Sequence, residues 1–154
     1  MASTDANADR AGPTIRSILD ARGGYVCNDH AIVPDELESI QNTVKQWAKR
    51  GDIDLILTTG GTGFSLRDVT PEAVRPLMER EAPGLIHLIM TSSLQHTPFA
   101  ALSRPAAGTI GRTLVITFPG SVKAVKENLD ALFNGGVLER AVEYLQGGAE
   151  KRNK

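Results

Sequence analysis

With one cysteine among 154 residues, Cys27, the chain can form no internal disulfide and no cysteine-rich zinc site, a usage compatible with a reducing compartment. It has no excess of either charge, with 17 basic and 18 acidic side chains and a net charge of -1, so bulk electrostatics point to neither nucleic acid nor an anionic membrane. Any anionic ligand must then be held by local geometry. No apolar run approaches the ~20 residues that a membrane span needs. The segment from Met1 to Asp9 lacks the basic and apolar regions of a signal peptide, which makes the cytosol the expected compartment. No serine sits in a nucleophile elbow, and no histidine has an acid or cysteine at metal-ligand spacing. His30, His87 and His96 read as surface or core residues, and Cys27 as an inert core thiol.

What is present is an ordinary globular composition, 41% hydrophobic and 23% charged. That length suits one domain, residues 1–146, able to bury roughly 70% of its unfolded surface. A polar tail, residues 147–154, is expected to be disordered. Apolar spacing predicts helices over Pro13–Arg22, from Pro34 to about Gly51, from Thr70 to Pro83, from Leu85 onward, after Ser121, and over Val137–Leu145. Between them, Tyr25–Val33 reads as an irregular strand and Ile53–Thr58 as a strand buried on both faces. Ala106–Gly108 and Thr113–Phe118 read as the arms of a hairpin. Strands alternating with helices predict an α/β fold, a three-layer α/β/α sandwich around a mostly parallel mixed sheet.

The central feature is the turn Thr58-Thr59-Gly60-Gly61-Thr62-Gly63, which runs on to Arg67-Asp68-Val69-Thr70-Pro71. Its glycines can take φ > 0 and have no Cβ to hold a ligand away, so backbone N–H groups can approach phosphate oxygens. It lacks the Gly-Lys-Ser/Thr of a P-loop, and Leu66 stands where a dinucleotide fingerprint needs its third glycine. A second turn, Pro119-Gly120-Ser121 with Lys123, puts N–H groups and an ammonium at a helix start. It can equally be a plain helix start capped by Ser121. Both turns follow strands, where open α/β sheets bind ligands.

Asp68, beside the glycine turn, can hold a divalent cation or a substrate donor, or it can cap the next helix or pair with Arg67. Asp35 and Glu38 form an Asp-x-x-Glu pattern, and local pattern alone favours a capping box over ligand binding. Arg104 in Ser103-Arg104-Pro105 can bridge two phosphate oxygens or stand in solvent.

Thr58-Thr59-Gly60-Gly61-Thr62-Gly63, Arg67-Asp68-Val69-Thr70-Pro71-Glu72 and Glu79-Arg80-Glu81-Ala82-Pro83-Gly84 together resemble the molybdopterin adenylyltransferases, the Mog-type bacterial proteins and the G domains of proteins such as gephyrin. Val33-Pro34-Asp35-Glu36, Ser93-Leu94-Gln95-His96-Thr97-Pro98, Leu102-Ser103-Arg104-Pro105 and Pro119-Gly120-Ser121 continue the match in order, over about residues 9–145. The resemblance implies a cytosolic homotrimer that joins AMP from Mg-ATP to the terminal phosphate of molybdopterin. A molybdate-inserting domain or protein would be its partner. It also implies that Asp35 and Asp68 are the catalytic aspartates, with Asp68 a candidate ligand of Mg²⁺. Thr59, Gly60, Gly61, Thr62, Gly63, Ser103, Arg104, Pro119, Gly120, Ser121 and Lys123 would line the nucleotide and pterin pocket. The family's first hydrophobic strand has no counterpart here, so unpaired backbone beside the pocket is expected, as is an alternative role as a non-catalytic trimeric scaffold.

Overall fold

The computed structural model describes residues 8–148, so Met1–Asn7 and most of the expected tail lie outside the described residues. Helix α1 spans Ala11–Arg22 and α2 spans Leu37–Lys49. Strand β1 covers Leu55–Thr59, and α3, Thr70–Val74, tightens into a 3₁₀ turn over Arg75–Leu77. A two-residue strand β2, Arg80–Glu81, precedes α4 at Pro83–His96. A 3₁₀ segment, Pro98–Leu102, leads to the hairpin of β3, Ala107–Ile110, and β4, Thr113–Phe118. Helices α5, Val122–Phe133, and α6, Val137–Leu145, complete the order.

The sheet is mixed, in the order β1-β4-β3-β2, with β1 parallel to β4 and the other two pairings antiparallel. β4 is buried along its whole length, and its alternating side chains feed two cores. Leu114, Ile116 and Phe118 pack with Ile15 and Leu19 of α1, Ile89 of α4, Val125 and Leu129 of α5, and Leu138 of α6. Val115 packs on the opposite face with Ile56 of β1, Ile40 and Val44 of α2, and Val74 of α3. Helices therefore cover both faces, giving the three layers expected of this chain.

Three local expectations are corrected. The helix predicted from Thr70 to Pro83 stops at Leu77, because Glu79 N–H donates to the Thr109 carbonyl (2.8 Å) and the chain joins the sheet edge as β2. Pro83 then opens α4 at its first turn rather than ending a helix, the position where a missing N–H costs nothing. Tyr25–Val33 forms no strand, and no backbone hydrogen bond joins it to another described segment. The reason lies beside β1. A groove of about 570 Å³ separates Tyr25–Asn28 from Leu55–Leu57, and its floor includes Leu19, Trp47 and Ile53. Among the described residues β1 is thus an edge strand, and only Ile56 within it is fully buried, not both faces as expected.

Candidate functional site

The parallel register sets Thr59 beside Phe118, so the chain leaves both strands at the same end of the sheet. Gly60 N–H donates to the Phe118 carbonyl (2.9 Å), extending the ladder by one bond. A Cβ on Gly120 would lie 3.4 Å from Gly60 Cα, so the two turns touch through glycine backbone. The two turns therefore lie side by side at one end of the sheet.

Gly60 and Gly61 take φ values of 89° and 70°, the left-handed region that glycine enters without strain. Gly63 does not, but a Cβ there would meet Asp68 Oδ2 at 2.8 Å. A Cβ on Gly61 would meet Thr70 Oγ1 at 2.2 Å and Asp35 Oδ1 at 3.6 Å. These glycines are needed as much for the packing of Thr70, Asp35 and Asp68 as for room above the turn. The N–H groups of Gly61, Thr62 and Gly63 have no acceptor among the described residues, which leaves three successive donors for an anion.

Asp35 does not cap α2. The capping position falls to Glu36 with no side-chain cap bond, and Glu36 instead accepts from Ser39 Oγ at 3.0 Å. No described group donates to the Asp35 carboxylate. Burial first, and the negative charge of Asp68 second, push its carboxyl above the ordinary carboxylate range. Two aspartates distant in sequence thus lie against the same glycine turn, Asp35 beside Gly61 and Asp68 beside Gly63. Asp68 Oδ2 accepts the Ser65 N–H at 3.0 Å, a bond that fixes its carboxylate from within its own loop. No ion pair joins it to Arg67, and Val69, without a side-chain cap bond, occupies the capping position of α3.

The hydroxyls divide their duties. Thr59 Oγ1 donates to the Pro119 carbonyl at 2.8 Å, and buried Thr62 sits with its Oγ1 3.4 Å from Ser103 Oγ. Thr58 Oγ1 is buried without a partner among the described residues. Ser121 does cap α5, its Oγ accepting the Ala124 N–H at 3.1 Å, as the helix-start reading of that turn expects. Lys123 extends into solvent, 81% exposed, with its Nζ 3.9 Å from Glu127 Oε1. The Arg104 guanidinium is largely engaged within the chain: it donates to the carbonyls of Gly63 and Asp68 and pairs with Glu72. Thr70 and Glu72 are the participants that local pattern did not single out. Thr70 reads as a cap, and nothing near Glu72 in sequence marks its distant arginine.

Among the described residues no group of three or more His, Cys, Asp or Glu could hold a metal, and no helix is long and apolar enough to cross a membrane. Two carboxylates beside a turn with unpaired N–H groups nevertheless suit Mg²⁺, which takes one or two carboxylates and completes its shell with phosphate oxygens and water.

The family model described as "probable molybdopterin binding domain" matches residues 2–138. Gephyrin of Dictyostelium discoideum is 48% identical over 148 residues, covering 90% of this chain but 20% of that protein. The Drosophila melanogaster molybdenum cofactor synthesis protein cinnamon is 46% identical over 137 residues, or 89% of this chain and 22% of that protein. The chain thus spans about a fifth of the length of each. A protein named molybdopterin adenylyltransferase from Helicobacter pylori J99 is 36% identical over 136 residues, covering 86% of this chain and 76% of that protein. The crystal structure of the molybdopterin biosynthesis enzyme MoaB of Thermus thermophilus superposes with a TM-score of 0.83 at 45% identity, over 90% of this chain and 86% of that one.

Proposed function

The chain belongs to the molybdopterin-binding domain family, and from that premise we propose that it is a molybdopterin adenylyltransferase of molybdenum cofactor biosynthesis, moving AMP from Mg-ATP to the terminal phosphate of molybdopterin. The observation that carries this reading is that Asp35 and Asp68 both lie against a glycine turn in which the N–H groups of Gly61, Thr62 and Gly63 have no acceptor among the described residues.

In the reaction, an oxygen of the molybdopterin phosphate attacks the α-phosphorus of ATP. The new P–O bond forms as the bond from that phosphorus to the bridging oxygen breaks, and pyrophosphate leaves with the electron pair. No covalent nucleophile is required, which agrees with a site that has none. Catalysis then rests on positioning and on donors aimed at developing negative charge. The N–H groups of Gly61, Thr62 and Gly63 bind one phosphate, and the α5 start with Ser121 and Lys123 binds another. Asp35 and Asp68 would hold Mg²⁺, which neutralises charge on the transferring group when bound. The raised Asp35 carboxyl must be ionised to serve, a form favoured once a cation is present.

The same reading carries a homotrimer acting in the cytosol, with a molybdate-inserting domain or protein downstream. Leu85, Ile86 and Leu88 of α4 are only partly buried and Leu94 is exposed, a surface available to a second copy. Incubating the protein with molybdopterin and Mg-ATP should yield adenylylated product and pyrophosphate, and Asp68→Ala should lose AMP transfer while keeping the oligomer. An oligomer that binds neither molybdopterin nor ATP would favour the non-catalytic scaffold.

A further inference from the structure

Arg104 lies between the 3₁₀ segment Pro98–Leu102 and β3, and its side chain turns toward the glycine loop. Nε donates to the Gly63 carbonyl at 2.8 Å, and Nη2 to the Asp68 carbonyl at 2.9 Å. Nη1 pairs with Glu72 Oε1, while Nη2 also reaches Glu72 Oε2 at 3.4 Å. The Arg104 main-chain N–H donates to the Thr62 carbonyl at 2.7 Å, and the guanidinium carbon stands 5.8 Å from the centre of the Phe64 ring. A guanidinium has five N–H donors in one plane. Four of its bonds are already spent on this protein, so a bidentate phosphate contact, which takes two parallel donors, would break the loop's own bonds.

Those bonds hold both ends of one turn. Gly63 and Asp68 are its limits, and within it the Asp68 N–H donates to the Ser65 carbonyl at 2.9 Å while Asp68 Oδ2 accepts the Ser65 N–H. Glu72, at the start of α3, anchors the guanidinium from behind, and the hydrogen bond from Arg104 holds the Glu72 carboxyl below the ordinary range. We propose that Arg104 is a positioning residue: clamped by Glu72, it fixes the Gly63–Asp68 turn and so aims the Asp68 carboxylate at the face shared with Asp35, without touching substrate. Its catalytic consequence rests on the adenylyl-transfer reading, whereas the bracing of the loop does not.

Hydrogen exchange and steady-state kinetics on Arg104→Lys, Glu72→Gln and the double variant test this, since lysine keeps the charge and loses the fork. Amides of residues 63–68 should exchange faster in each single variant, and no faster in the double than in the worse single. kcat should fall roughly 10- to 100-fold in each, with the KM for ATP little changed. A raised KM with kcat retained in Arg104→Lys, alongside a silent Glu72→Gln, would make Arg104 a substrate clamp and overturn the proposal. If the parent protein shows no AMP transfer, exchange alone decides: unchanged rates over residues 63–68 in both variants overturn the brace, and faster rates uphold it while the activity reading fails.

Discussion

Thr59 Oγ1 donates to the carbonyl of Pro119 at 2.8 Å, tying the turn after β1 to the turn after β4. The bond lies at the last register pair of the parallel ladder, Thr59 with Phe118, and is a side-chain link between the two turns proposed to bind phosphate. Thr59→Val keeps the shape and removes the donor. It is expected to cost about 1–2 kcal/mol in chemical denaturation and to weaken ATP binding by calorimetry. Unchanged affinity with the expected loss of stability would show that the two turns hold their spacing without the strap.

Asp35 carries a signed pH dependence. Its carboxyl is raised in the folded protein, chiefly by burial and then by Asp68, so the folded chain keeps this proton to higher pH than the unfolded chain does. Stability from this group is present in acid, falls as pH rises between the two pKa values, and is fully lost above the folded one. At neutral pH the ionised side chain is therefore a cost. Asp35→Asn should raise Tm at neutral pH, give no comparable gain in acid, and abolish AMP transfer. Melting curves at the two pH values check it, and a lower Tm at neutral pH would sink the argument. The acid limb of AMP transfer should likewise sit above the ordinary carboxylate range.

Gly61→Ala places a methyl 2.2 Å from Thr70 Oγ1 at a residue with φ of 70°, and should destabilise by roughly 1–3 kcal/mol while abolishing activity. Gly84→Ala is the control. Gly84 lies in the first turn of α4 with nothing within 4 Å of the added carbon, and alanine there should be neutral or stabilising by up to about 1 kcal/mol. Equal losses for both in chemical denaturation would contradict the steric account.

Ser93 of α4 donates to Asn128 Oδ1 of α5 at 2.8 Å where both side chains are buried, and Asn128 Nδ2 has no partner among the described residues. Ser93→Ala leaves the amide oxygen buried without its donor and should cost about 1–3 kcal/mol. Adding Asn128→Leu removes the stranded amide and should recover part of that loss. Urea unfolding of the single and double variants decides, with a further drop in the double as the contrary result.

How much of this is legible in the sequence depends on whether the deciding contact is local. The Gly60–Gly63 turn, the Ser121 cap and the α6 boundaries follow from glycine, serine and apolar spacing within a few residues. Tyr25–Val33 has strand-like residues, but a strand exists only through a bonded neighbour, and among the described residues the groove holds it apart from β1. β2 is two polar residues with no periodicity, recruited by pairing with β3. Local pattern assigns Asp35 to a capping box, and only the family resemblance moves it to the site. Its true neighbour, Asp68, is far along the chain. Arg104 escapes local reading for the same reason, since the carbonyls that occupy it belong to a loop 41 and 36 residues away.

The parallel pairing of β1 with β4 also bears on how the site comes into being. The β3–β4 hairpin closes over two residues, whereas Thr59 and Pro119 meet across a separation of 60. Closing the longer loop carries the larger entropic cost before any contact repays it, so β1 is expected to dock after the hairpin has formed. Both phosphate-facing turns would then appear together, in the last step. During refolding, ATP binding should lag behind the protection of β3 and β4 amides in pulse-labelled hydrogen exchange, and recovery of both at one rate would indicate a single concerted step.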